Sequence, residues 1–348
     1  MESNHDSHIS KKRKTCTDSG DYSEATETQT INLKHDTDMW FNDGSVVLQA
    51  GLFQFRVHKA VLGRSSSIFR DMFSLPVSSP STTDELVEGC EVVHLHDSAE
   101  DVRCMLSAIY DYEKIDLTKQ ILLRNLSALL RLGAKYDIPI LRNNALQRLQ
   151  KEFPTTLEDY DRVAHDSWQT FKPVGAGCLF DLINLAHNEG IVSILPQLYI
   201  HCISRSSWKG NPTLHYLFHG IEQEGGTVAT LPPNVRCDIL LGKEKLIEAI
   251  HQHPLQWLNR TYVCYNCATP DRCRLSCNDI LISRLLPTPQ LDFAFEPWAE
   301  IKSEANFCKA CEREFERVHE AGRKKLWGLL PTLFGMPDWK ELKKMDRW

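Results

Sequence analysis

Residues 38–76 read DMWFNDGSVVLQAGLFQFRVHKAVLGRSSSIFRDMFSLP. Val46, Val47 and Leu48 form a short β-branched run after the turn signal Asn42-Asp43-Gly44. Gly51 interrupts it, and Phe53, Phe55 and Val57 then alternate with Gln54 and Arg56, which puts three apolar side chains on one face of a second strand. A helical turn starts at Ala60 to Leu62. The run Ser65-Ser66-Ser67 supplies a cap for a second helix, on which Ile68, Phe69, Met72 and Phe73 are expected to share a face. A hairpin that feeds a helical pair is a folding nucleus with no catalytic signature.

Downstream, Pro76 to Asp84 reads as a Pro/Ser/Thr loop, and Val92, Val93 and Leu95 as a further strand. Ser98 and Asp101 approximate a capping box for a helix whose stripe is Val102, Met105, Leu106, Ile109 and Tyr110. Two more helices follow. One carries Leu126, Leu129, Leu130, Gly133 and Ala134, and the other Leu141, Ala145, Leu146 and Leu149 before Phe153-Pro154 stops it. Strands first and helices after them predict an α+β domain with a small sheet flanked by helices.

These residues carry a resemblance. Asp38 with Trp40, Asp43-Gly44 before the strand, His58-Lys59-Ala60-Val61-Leu62 and Ser67 two before Phe69 are similar to the BTB/POZ domain, as are Leu132 to Tyr136 and Leu141-Arg142 later on. The resemblance spans about residues 35–152. Within the family the chain looks closest to the BTB proteins of mushroom-forming fungi, through FRDMFSLP, Phe153 to Leu157, and the segment Phe334 to Trp339. It implies protein–protein association: self-association through the BTB domain, and an adaptor role for a cullin ubiquitin ligase or in transcription. His58, Lys59 and Asp43 are expected to be structural.

The expected organisation is a disordered polar tail over 1–34, the BTB/POZ domain over 35–153, and a mainly α-helical region over 154–348. In the last part Pro196 is expected to break one stripe, and Lys209 to Pro212 and Glu224 to Gly226 to be loops. The final helix carries Phe315, Val318, Gly322, Leu326 and Leu329 inward, with Arg323-Lys324-Lys325 read as a solvated step.

Six of the twelve cysteines fall between residues 264 and 311: Cys264, Cys267, Cys273, Cys277, Cys308 and Cys311. A Cys-x-x-Cys turn presents two thiolates to one ion at ~2.3 Å, so two pairs make a tetrahedral sulfur site. Spacing alone pairs Cys264 and Cys267 with Cys308 and Cys311. The fungal resemblance instead implies a Cys-x5-Cys upstream pair, giving Cys267, Cys273, Cys308 and Cys311 with Cys264 as the alternate ligand and Cys277 last in order. The expected ion is a structural zinc that clips a helix and loop back onto the C-terminal tail. Buried or free thiols are the competing reading.

A net charge of −6 provides no basic field for nucleic acid or anionic lipid, and no apolar run approaches the ~20 residues of a membrane span. The N-terminus lacks a signal-peptide core, so an intracellular protein of nucleus or cytoplasm is expected. Lys11-Lys12-Arg13-Lys14 reads either as a solvated run or as a nuclear import signal. Gly-x-Ser-x-Gly, His-Glu-x-x-His and P-loop motifs are missing, so no enzyme is expected. The sequence favours a non-enzymatic protein-interaction adaptor or scaffold. The alternative is a zinc-containing nucleic-acid-binding transcription regulator, against which the acidic balance weighs.

Overall fold

The computed structural model describes residues 32–75, 86–163, 168–172, 175–204, 213–223, 225–259, 264–286 and 289–346. The basic cluster Lys11 to Lys14, nearly all of the expected tail, the loop Pro76 to Asp84, the loop Lys209 to Pro212 and the residues Pro287-Thr288 lie outside the described residues.

The first part comprises β1 (Lys34–Trp40), β2 (Val46–Ala50), β3 (Phe53–Val57), α1 (Lys59–Ser65), α2 (Ser67–Ser74), β4 (Leu86–Val87), β5 (Cys90–Leu95) and α3 (Ala99–Tyr110). It continues with β6 (Ile121–Leu122), α4 (Leu123–Lys135) and α5 (Pro139–Glu152). Five strands make one sheet in the order β1-β3-β2-β5-β4. The β2–β3 hairpin is antiparallel and turns at Gly51, whose φ of +55° lies in the left-handed region open to glycine. Alternation buries Phe55 and Val57 beside Val46 and Leu48, in one core with Val102, Met105 and Leu106 of α3 and Leu126, Leu129 and Leu130 of α4. Ser66 caps α2 by accepting the Phe69 N–H at 3.0 Å, and Ser98 caps α3 by accepting the Asp101 N–H. On α2 only Phe69 is fully buried, and Ile68 is 44% exposed instead of facing inward. Close approach of α4 and α5 requires Gly133, where a Cβ would sit 2.8 Å from the Arg142 nitrogen.

Strand β1 has no counterpart in the sequence reading, for a physical reason. It pairs parallel to β3, but the register slips between His35 and Trp40, so the buried residues Asp36 and Met39 stand three apart rather than two. Asp36 is buried because its carboxylate accepts the Asp38 and Met39 N–H groups and pairs with Arg103 of α3. A strand whose inward residue is an aspartate leaves no apolar alternation to read.

The second part is helical: α6 (Leu157–Tyr160), β7 (Phe171–Lys172), α7 (Cys178–Glu189), α8 (Leu195–Ile203), α9 (Thr213–His219), β8 (Ile221–Glu222), β9 (Val228–Ala229) and α10 (Pro233–Gln252). The last four helices are α11 (Pro270–Leu285), α12 (Trp298–Glu304), α13 (Lys309–Leu333) and α14 (Trp339–Met345). Pro196 lies in the first turn of α8 and so opens the helix rather than breaking it, since its missing N–H has no intrahelical partner there. Among the described residues, buried apolar side chains of both parts, from Met39 to Phe334, belong to one cluster, so the two parts share one core.

Polar hubs reinforce that junction. Arg148 is fully buried on α5, and its guanidinium donates to Asn144 Oδ1 and to the carbonyls of Asp116, Lys119 and Thr170. Glu152 accepts the Gln169 and Thr170 N–H groups beside it, which fixes β7 against β6. Arg323 is also buried, at 2% exposure, contrary to the expected solvated step: it pairs with Asp161 and Glu320 and donates to the Phe295 carbonyl. Lys324 and Lys325 are exposed.

Candidate functional site

The cysteine cluster is built from the starts of two helices. Thr269-Pro270 opens α11, which places Cys267 just ahead of the helix and Cys273 within its first turns. Cys308 is the N-cap of α13 and Cys311 lies in that helix's first turn. The positive ends of both helices therefore point toward the sulfurs, which favours thiolates. A turn in which the Cys267 N–H donates to the Cys264 carbonyl brings the upstream segment in.

The Sγ atoms of Cys267, Cys273, Cys308 and Cys311 all lie within 4.8 Å of one another. A tetrahedral zinc site with ~2.3 Å bonds has sulfur–sulfur edges of about 3.8 Å, and Cys267 Sγ is 3.7 Å from Cys308 Sγ. Cys273, Cys308 and Cys311 are buried and Cys267 is half-buried. Cys273 Sγ accepts the Cys308 N–H at 3.2 Å and touches the Thr269 hydroxyl. Burial pushes the Cys308 thiol up, but N–H groups of Cys311, Ala268 and Ala310 donate to its sulfur and bring it down to about 6. Burial and the neighbouring Cys264 sulfur push Cys311 up. A central divalent ion would favour the ionised form of all four thiols. Number, softness and spacing of the donors fit a zinc-type ion.

The other two cysteines sit at the margin. Cys264 Sγ is 3.2 Å from Cys311 Sγ but stands outside the set of four. Cys277, one turn after Cys273, is half-buried, and desolvation pushes its thiol up to about 11.

What the cluster closes is a loop of about forty residues that carries α11 and α12. Arg284 of α11 is itself buried: it pairs with Glu296 and with Glu304 of α12, and stacks on Phe293 at 3.9 Å. Below the cysteines lies an aromatic core of Trp257, Trp298, Phe307 and Phe315, with Trp257 stacked on Phe315 at 4.9 Å. These hubs escaped the sequence reading, because a buried arginine has no pattern of its own.

In the first part, His58, Asp43 and Lys59 each have a side-chain partner. His58 accepts or donates at Tyr110 Oη (3.0 Å) and sits 3.2 Å from Asp43, while Lys59 pairs with Glu91. The exposed apolar residues of this part include Ile68 at the start of α2 and Ile140 at the start of α5. The hydrogen bond from Ser67 to Asp137 draws those two helix starts together. Leu75, just past α2, is 70% exposed.

Residues 42–152 match the family model of the BTB/POZ domain. The chain carries a BTB/POZ domain. That match starts just after β1 and spans the β2–β3 hairpin, the helical pair, β4, β5 and the helices through α5, so the BTB/POZ domain here is the small sheet flanked by helices. It makes this part a protein-interaction module. No curated protein matches the chain. Among the described residues, no helix is long and apolar enough to cross a membrane.

Proposed function

We propose that the chain is a non-enzymatic adaptor that self-associates or recruits a partner through its BTB/POZ domain and presents a helical C-terminal part held shut by zinc. The observation that carries the reading is the BTB/POZ match over residues 42–152. Cullin ubiquitin-ligase recruitment and transcriptional regulation are the two adaptor roles that the domain suggests, and the first is the one to test. Light scattering of the purified protein reads self-association, and an affinity pull-down with mass spectrometry reads a cullin. A monomer that captures neither a cullin nor any other protein would sink the adaptor reading. Retention on DNA that falls steeply with salt would instead favour the nucleic-acid alternative.

The zinc part of the reading assigns Cys267, Cys273, Cys308 and Cys311 as ligands, supported by their mutual separations and by the N–H groups aimed at Cys308. The ion would supply structure rather than chemistry. These residues hold the ion, and the helices behind them hold the residues. Purified protein should carry about one zinc per chain, and the Cys308→Ala, Cys311→Ala double variant should lose it. Metal-free wild-type protein of unchanged stability would contradict the assignment. Entry into the nucleus through Lys11 to Lys14 is a separate proposal. A reporter fused to residues 1–34 should concentrate there, and an even distribution would refute it.

A further inference from the structure

The four sulfurs that enclose a metal-sized space leave a fifth against them. Cys264 Sγ lies 3.2 Å from Cys311 Sγ, nearer than the 3.7 Å between Cys267 and Cys308, and nearer than the about 3.8 Å edge of a zinc–thiolate tetrahedron. Position separates the two residues further. Cys311 is buried in the first turn of α13, whereas Cys264 is half-buried on a segment belonging to no helix or strand. A thiol outside the helices, in contact with a ligand thiol, is placed to react with it.

We propose that Cys264 and Cys311 form a hydroperoxide-sensitive pair whose oxidation to a disulfide removes Cys311 from the metal and opens the clip. The proposal rests on the zinc assignment above. In the first step the Cys264 thiolate attacks hydrogen peroxide: an S–O bond forms, the O–O bond breaks, and the departing hydroxide takes a proton to become water. In the second step the Cys311 thiolate attacks the Cys264 sulfur. An S–S bond forms, the S–O bond breaks, and the second hydroxide leaves as water. Two thiols lose two electrons and two protons in total, and one peroxide becomes two waters. Closing from 3.2 Å to a bonded ~2.05 Å takes about 1 Å of movement between the two sulfurs. Zinc itself takes no part in the electron transfer, since it has no redox chemistry. Left with three thiolates, it is released.

Deletion of the fifth thiol leaves the four-sulfur set intact, so the variant Cys264→Ser separates the ideas. The experiment uses the full-length chain. Zinc content is measured before treatment, then release into a chromogenic zinc indicator is followed under hydrogen peroxide, and disulfides are mapped by alkylation and mass spectrometry. The expected wild-type result is zinc release in step with a Cys264–Cys311 disulfide, reversed by a thiol reductant with added zinc. Cys264→Ser should carry the same zinc and release it about tenfold more slowly, because no thiol adjoins Cys311 to complete the exchange. Cys277→Ser should behave as wild type. Release from Cys264→Ser at the wild-type rate, or a disulfide mapped to another pair, overturns the proposal. So does loss of zinc from untreated Cys264→Ser, which would make Cys264 a ligand. If untreated wild type holds no zinc, the clip assignment fails, and the disulfide map still decides the pair.

Discussion

The BTB/POZ part and the cysteine-bearing helices share one apolar core but differ in the polar groups buried with it. In the first, a sheet buries Val46, Leu48, Phe55 and Val57 against helices whose stripes repeat at helical spacing, and most of its charges stay on the surface. In the second, the interior holds arginines, a histidine and thiols. Arg284 pins α11 to α12, Arg323 pins α13 to Asp161 and Phe295, and both ring nitrogens of buried His319 face the backbone carbonyls of Pro254 and Glu296. Apolar burial is proportional to area and forgiving of detail. Buried polar hubs depend on every partner being present. The apolar sheet core should therefore tolerate conservative change, while hubs such as Arg148 on α5, Arg284 and Arg323 should fail when single partners are removed.

The largest single-residue effect expected is in the apolar part. Phe55→Ala should cost about 3–5 kcal/mol, read from denaturant midpoints, because Phe55 is fully buried in the sheet core. Phe55→Leu should cost much less, as a forgiving core requires. The polar part should answer differently. Asp161→Ala leaves Arg323 buried without one of its carboxylates and should cost about 3 kcal/mol, whereas Arg323→Met removes charge and burial cost together and should cost less. Equal losses from both would break the distinction.

A third change probes close approach. The Cβ of Gly322→Ala would sit 2.3 Å from the His253 carbonyl oxygen, so α13 must shift, at about 1–3 kcal/mol. Glycine at 328 on the same helix faces open space, and Gly328→Ala should be neutral or slightly stabilising. The smallest effect is in pH. Burial lowers the pKa of His187, whose Nε2 lies 2.8 Å from Tyr199 Oη. Its contribution is fully present above the unfolded value near 6.5 and is lost as pH falls from there through the lower folded value. The Tyr199→Phe variant should retain that slope while losing the hydrogen bond, and a titration with no slope below pH 6.5 would contradict the burial of His187.

This contrast also explains what the sequence made legible. The hairpin, the helical pair, Ser98 as a cap and the stripes of α3 to α5 could be read, because period and capping chemistry are local and apolar. Strand β1 could not, since its inward residue is Asp36 and its register slips. The β4–β5 hairpin was missed in part because Glu88, with φ +49°, joins Gly89 in the left-handed turn where asparagine or glycine is the usual signal. At the cysteines, spacing pointed to Cys264 with Cys267, while the structure places Cys273 inside the 4.8 Å set because the start of α11 turns it there. The Arg148, Arg284 and Arg323 hubs follow from chain segments meeting at long range, which no local pattern announces.

The central claim, resting on the proposed zinc assignment, is that thiols and an ion hold the loop bearing α11 and α12 while apolar burial holds the sheet. Amide hydrogen exchange of the full chain, with and without a zinc chelator, tests it directly. Chelation should remove protection across α11, α12 and the first turns of α13 while β2, β3, β5 and α3 keep theirs. Protection unchanged everywhere, or lost equally in both parts, would contradict it.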